Sequence, residues 1–296
     1  MKKWIQNNTS SLIGKTIAIT GSSGGLGIEV CNHLASLGAN LILINRSASK
    51  SEKQKQQLIN KYPNINITYI EADLSNFAST CVAVDKLSQM SIDVLILNAG
   101  IYNVPRFTTD IGYDNVFTTN FISHYYMVKQ LLPALRKSSL AKVVAVGSIA
   151  HNYTKLNQSD IDFSANAKHS KVYGNSKRFL MFSLYELFKT EEKVKLSVVH
   201  PGVTFTNITN HYPKLIYAII KYPMKILFPS PKKASLHIVS GVFNSTDYHT
   251  WIGPKIMTVW GKPKNSRLKT CGQDESEKIF NIAENIYNDL IKTEPN

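Results

Sequence analysis

Tyr173 and Lys177, in the run Tyr173-Gly174-Asn175-Ser176-Lys177, set a phenol and an ammonium four residues apart. On a helix that spacing stacks both side chains on one face, one turn from each other. A phenol ordinarily titrates near pH ~10, too high to trade protons readily at neutral pH. A fixed positive charge alongside favours the phenolate, so Lys177 is expected to lower the Tyr173 pKa toward the range of a working acid or base. Tyrosine and lysine are common residues, and the pair gains meaning only if a nucleotide site accompanies it.

Such a site is written upstream. A β-branched run, Thr16 to Thr20, leads straight into Gly21-Ser22-Ser23-Gly24-Gly25-Leu26-Gly27, and a helical pattern follows to Leu37. Glycines there let the backbone turn tightly and approach a pyrophosphate, which rests on the helix N-terminus. The spacing is Thr-Gly-x-x-x-Gly-x-Gly, and on these residues the chain resembles the short-chain dehydrogenase/reductase family over about residues 12–260. Further motifs fall in the family's order: Asp73-Leu74 after the third strand, Asn98-Ala99-Gly100 after the fourth and Pro201-Gly202 after the sixth. The resemblance implies a nicotinamide dinucleotide against Gly21, Ser23, Gly25, Leu26, Gly27, Asp73, Leu74, Asn98, Ala99 and Gly100. It also implies Tyr173, Lys177, Pro201, Gly202, Thr204 and Thr206 at the nicotinamide end, with no metal.

Cofactor choice is read at the end of the second strand. An acidic residue there would hold the ribose hydroxyls of NAD(H) and repel a 2′-phosphate. This chain has Asn45-Arg46, so no carboxylate blocks the phosphate and a guanidinium can pair with it. NADP(H) is expected over NAD(H).

The catalytic set implied by the resemblance is Asn120, Ser148, Tyr173 and Lys177. Ser148 would hydrogen-bond a substrate carbonyl oxygen, Tyr173 would supply its proton, Lys177 would hold the nicotinamide ribose, and Asn120 would position a water leading to solvent. Ser148 and Tyr173 lie 25 residues apart, with Asp160-Ile161-Asp162-Phe163 between them. That separation resembles the retinol dehydrogenase-like branch and the related protochlorophyllide reductases. His124 and His151 are read as structural or substrate-lining.

The elements that must position these groups alternate. Strands are expected at Thr16–Thr20, Leu41–Ile44, Asn66–Ile70, Val94–Leu97, Lys142–Val146 and Leu196–Val199, each nearly continuously apolar, as strands covered on both faces are. Helical patterns at Gly25–Leu37, Asn115–Leu135 and Tyr173–Lys189 lie between them. The expected fold is α/β, a doubly wound (Rossmann) parallel sheet with helices on both faces, in one domain over residues 1–296. A last strand near Ile256–Val259, a substrate lid over about 203–235 and a closing helix over about 275–291 complete the reading.

Composition bounds the rest. Of 34 basic residues only five are arginines, so the net charge of +14 reads as a lysine-rich surface and not as a nucleic-acid site. Three scattered cysteines fit a reducing compartment, and no run suits a signal peptide or a membrane span, so a cytoplasmic protein is expected. Residues 193–246 carry seven lysines and no carboxylate. Within them, 211–228 is apolar and basic, which fits a lid over a lipophilic substrate and also a peripheral membrane contact. The expected activity is NADP(H)-dependent interconversion of a carbonyl and an alcohol on a retinoid, steroid, fatty or aromatic substrate. Reduction of a conjugated double bond and a non-catalytic NADP-binding scaffold are the alternatives. The family resemblance also suggests a homodimer through the helices carrying the Tyr–Lys pair.

Overall fold

The computed structural model describes residues 2–165, 167–202 and 229–293; Thr204, Thr206 and the apolar-basic stretch 211–228 lie outside them. A short helix, α1 (Lys2–Asn8), precedes the sheet. Then come β1 (Thr16–Thr20), α2 (Gly25–Ser36), β2 (Asn40–Asn45), α3 (Ala48–Lys61), β3 (Ile67–Glu71), α4 (Phe77–Ser88) and β4 (Val94–Leu97). The strands form because their residues are β-branched or aliphatic in unbroken runs, and β4 and β5 (Lys142–Val146) are buried along their whole length. Parallel registers join β3 to β2, β2 to β1, β1 to β4, β4 to β5 and β5 to β6 (Lys195–Val199). With β7 (Thr250–Ile256) and β8 (Trp260–Arg267), the order β3-β2-β1-β4-β5-β6-β7-β8 is that of a doubly wound Rossmann sheet, extended at one edge.

Side-chain alternation divides the interior into two cores. Ile17 and Ile19 of β1 face one side while Ala18 faces the other, and Val144 and Val146 of β5 oppose Val143 and Ala145. The first core packs against α2; the second packs against α4, α6 (Ser123–Leu135) and α7 (His169–Leu187).

The end of the chain departs from expectation. The last parallel strand is not Ile256–Val259 but β7 (Thr250–Ile256), which meets β6 at one registered pair, Val199 with Ile252. Residues 257–259 instead form the turn into an antiparallel strand, β8 (Trp260–Arg267), which follows α8 (Pro231–Phe243) and β7 in the chain. β8 escaped the reading because Trp-Gly-Lys-Pro-Lys-Asn-Ser-Arg has neither an apolar run nor alternation; it lies exposed along nearly its whole length.

The closing helix, α9 (Gln273–Thr293), lies along α7 and touches α6. Glu284 accepts from Tyr125 and takes the Lys129 ammonium at 2.8 Å. Glu275 takes both arms of the buried Arg178 guanidinium, at 2.9 and 2.6 Å, and caps the backbone amide of Leu156. The helix thus covers part of the surface that the family resemblance offers to a second copy. Among the described residues no helix is long and apolar enough to cross a membrane.

Arg178 is only 3% exposed, so removing its partner strands a desolvated cation. Glu275→Ala is expected to cost about 2–3 kcal/mol and lower the Tm by about 5 °C, measured by calorimetry. A variant that melts with the parent would show that α9 is not anchored through this pair.

Candidate active site

The C-terminal ends of β1 to β4 open onto a cleft of about 370 Å³, lined by the glycine turn, Arg46, Asp73, Leu74 and the Asn98–Gly100 turn. Gly21 has φ +64, and a Cβ there would stand 2.8 Å from the Ala99 backbone, so only glycine lets the two turns meet. Helix α2 begins at Gly25 behind Gly24, with no side chain capping it. Its first turn lines the cleft with no side chain among the described residues capping it, the arrangement that receives a phosphate. The cleft, the close glycine turn and the open helix end fit a dinucleotide.

A buried polar lattice behind the turn was not foreseen. Asn45 donates to Ser22 at 2.7 Å and to Ser51 at 2.9 Å, and accepts from the Ser23 amide at 3.1 Å. Gln54 closes the set by donating to the Ser22 carbonyl at 2.9 Å. An asparagine ending a strand was the available signal. Asn98, expected against the cofactor, spends its amide on the carbonyls of Thr20 and Gly21, at 2.9 and 3.0 Å, and so braces the turn from behind. At the opposite end of the cleft Arg46 is exposed and lies 3.9 Å from Asp73, with Lys50 beside them as a second cation that the sequence reading missed.

The cleft's inner end meets the catalytic set. Its lining residue Tyr102 packs edge-on against Tyr173, ring centres 5.2 Å apart. Lys177 is buried and donates to the Val146 carbonyl at 2.9 Å; a Cβ on Gly100 would lie 3.5 Å from its Nζ. Ser148 ends the loop after β5, accepts from the Ala150 amide at 3.2 Å and lies close enough to the Tyr173 phenol to offset part of its burial. Asn120 sits in a π-helical stretch, Thr118–Ile122, between a helical turn, α5 (Asn115–Phe117), and α6. Its carboxamide is fully used: it accepts from the Ile101 amide at 2.8 Å and donates to the Ile101 carbonyl and to Ser176, both at 3.0 Å. Pro201 and Gly202 follow β6, while Thr204 and Thr206 fall outside the described residues.

Electrostatics correct one expectation. Burial raises the Tyr173 pKa, and the Ser148 hydrogen bond opposes the rise without reversing it. The expected lowering by Lys177 is absent because the ammonium is turned onto Val146, and burial depresses Lys177 itself to about 8. Tyr173 therefore rests as a neutral phenol, which suits a proton donor.

Both histidines are structural. His124 is fully buried, its pKa pushed down to about 3 by burial and then by the Lys177 charge. Its Nδ1 is 3.2 Å from the Asn120 carbonyl, which can only accept, so Nδ1 carries the proton and Nε2 accepts from Thr20 at 3.0 Å. His151 bridges the Ser148 carbonyl, 2.6 Å from Nδ1, and the Thr270 hydroxyl, 2.8 Å from Nε2, and so fixes the serine loop to the segment before α9.

A βαβ sheet with this glycine turn and a Ser–Tyr–Lys cluster at its C-terminal edge defines a nicotinamide-dependent oxidoreductase fold. The chain matches the short chain dehydrogenase family across residues 15–214 and belongs to it. It is 32% identical over 235 residues to an uncharacterized oxidoreductase of Schizosaccharomyces pombe, covering 74% of this chain and 69% of that protein. Retinol dehydrogenase 14 of Homo sapiens is 27% identical over 296 aligned positions, covering 92% and 85%. Within the family the similarity therefore includes the retinol dehydrogenases. Among solved structures, an uncharacterized protein from Mycobacterium paratuberculosis superposes with a TM-score of 0.74 at 22% identity over 97% of both chains. A short-chain dehydrogenase from Sphingobium yanoikuyae in complex with NADPH gives 0.57 at 20% identity, over 75% of this chain and 81% of that one.

Gly174 separates Tyr173 from the serine loop, and a Cβ there would lie 2.3 Å from the Ala150 carbonyl oxygen. Gly174→Ala is expected to shift the Ile149–Tyr153 segment that follows Ser148 and so to lower kcat on the order of 10²-fold. Gly272, with open space around its Cα, should accept alanine without loss. Equal kcat for the two variants, measured with any accepted substrate, would show that the contact does not set the Ser148–Tyr173 geometry.

Proposed function

We propose that this protein is an NADP(H)-dependent oxidoreductase interconverting a carbonyl and an alcohol on a small lipophilic substrate. The observation that carries the reading is Tyr173 at the inner end of the cleft, in ring contact with the lining residue Tyr102 and one turn from the buried Lys177, with Ser148 close enough to offset part of the burial of the phenol. When bound, the dinucleotide supplies or removes the hydride. In reduction, Ser148 donates to the substrate oxygen and orients it, and Tyr173 delivers the proton to that same oxygen. In oxidation Tyr173 takes the proton back. Lys177 holds the nicotinamide ribose. Since the Asn120 carboxamide is committed, a water leading from Lys177 to solvent rests on the Asn120 backbone carbonyl, beside the His124 Nδ1.

NADP(H) is favoured by two cations at the adenosine end, Arg46 and Lys50, with no carboxylate at the end of β2. Aromatic walls favour an apolar substrate: Tyr102 packs on Tyr173, and Tyr153, from the 3₁₀ segment Ile149–Tyr153 after Ser148, is 54% exposed nearby.

Tyr173→Phe tests the assignment. NADPH oxidation across retinoid, steroid, fatty and aromatic carbonyls should fall by about 10²–10⁴-fold in kcat, with NADPH binding by fluorescence titration unchanged. An active Phe variant removes Tyr173 from the mechanism. Arg46→Ala with Lys50→Ala should weaken NADPH on the order of tenfold and leave NADH unaffected; equal losses for both cofactors would remove the 2′-phosphate reading.

A pH profile follows from Lys177. Its folded pKa, about 8, lies below the ordinary lysine value, so the charge that holds the nicotinamide ribose is present below pH 8 and lost above it. The kcat/KM for reduction should be level up to about pH 8 and then fall; a rise across pH 8–10 would contradict this.

A further inference from the structure

We propose that the tip of the β7–β8 hairpin docks onto an anionic lipid bilayer. The strands end in a cross-strand pair, Ile256 with Trp260, and the reversal between them is closed by Val259 donating to the Ile256 carbonyl at 3.1 Å. Met257 is 78% exposed, Ile256 54% and Trp260 39%. Other exposed large apolar residues, such as Ile13 and Val82, stand singly along the chain; here three fall within five residues. Single exposed apolar residues need no explanation, whereas a cluster rimmed by polar groups marks a contact surface.

The rim is basic. Lys255 and Lys262 flank the tip and Lys264 follows along β8, with Arg267 and Lys269 at the far end of the hairpin, and no carboxylate occurs between Asp247 and Asp274. An indole suits the headgroup layer, and lysine stems can lie along apolar surface while their ammonium groups reach lipid phosphates. The charge is therefore complementary to an anionic leaflet, with each basic side chain near the surface adding about fivefold to partition. A second copy of this chain fits poorly on the same edge. It would set one basic strand against another, and β8 carries Lys262, Pro263 and Lys264, residues that discourage edge-to-edge pairing.

The tip is fixed to the body at the mouth of the site. His200, ending the β6 side, approaches the Thr258 carbonyl at 3.2 Å, and a Cβ on Gly202 would lie 3.0 Å from both Pro254 and the Val259 carbonyl oxygen. Docking therefore brings the membrane to the C-terminal ends of the strands, the side on which the cleft opens. The contact is independent of the reaction assigned above.

The test is flotation of the full chain with vesicles of phosphatidylcholine and phosphatidylserine, 70:30, against phosphatidylcholine alone. The chain should float with the anionic vesicles at 0.1 M NaCl, and less at 0.5 M NaCl. Met257→Ser with Trp260→Ser should weaken partition at least tenfold and keep the parent's melting profile. In parallel, brominated lipid should quench the parent's tryptophan emission, and Trp260→Phe should remove that quenching, so the tip is read even if the double variant folds poorly. No flotation at low salt overturns the proposal, and so does flotation or quenching indifferent to these substitutions. A tip substitution that splits a dimer in sedimentation velocity, without vesicle binding by the parent, would reassign the surface to a second copy.

Discussion

The buried ammonium of Lys177 constrains everything around it. A lysine removed from water with one carbonyl, that of Val146, as its described hydrogen-bond acceptor is costly to keep charged, and its depressed pKa expresses that cost. The nearby groups are arranged to tolerate the charge. His124 is neutral, Asn120 is locked by Ile101 and Ser176, and Gly100 passes beside the amine. The π-helical stretch Thr118–Ile122 places Asn120 within the same arrangement.

From Lys177 the order spreads in two directions. Toward the sheet, the Asn98 brace and the Asn45–Ser22–Gln54 lattice hold the glycine turn without placing a side chain in the cleft. Toward the surface, the neighbouring Arg178 ties α7 to Glu275 and to the His151 carbonyl, while His151 holds the Ser148 carbonyl. The serine, the tyrosine helix and the closing helix thus form one hydrogen-bonded unit. A substitution in α9 can reach the active site through two residues.

What the sequence disclosed follows the strength of its physical signals. Six parallel strands were legible because burial on both faces demands unbroken apolar runs, and the glycine turn was legible because its backbone geometry admits so few residue types. The approach of Ser148 to Tyr173 could be expected from family motifs alone, because residues 25 apart carry no local signal of contact. β8 was not legible: an edge strand facing water needs no apolar pattern, and its lysines and proline read as a loop. The Tyr173 pKa went the other way because spacing shows which residues share a helical face, not how far each is desolvated or where an ammonium turns. The lattice behind the glycine turn was hidden for a similar reason, since Asn45 and Gln54 find Ser22 only once α3 has packed.

The strand order has a consequence for how the chain is made. β1 is paired on one side by β2, its neighbour in sequence, and on the other by β4, which begins 74 residues after β1 ends. As the polypeptide leaves the ribosome, β1, β2 and β3 can assemble while the far side of β1 stays open. That unpaired edge, Ile17 to Ile19, is buried and wholly apolar in the finished molecule. Until residue 97 has emerged it is a surface for a chaperone or a neighbouring nascent chain, so the central strand is the one that waits longest for its second partner.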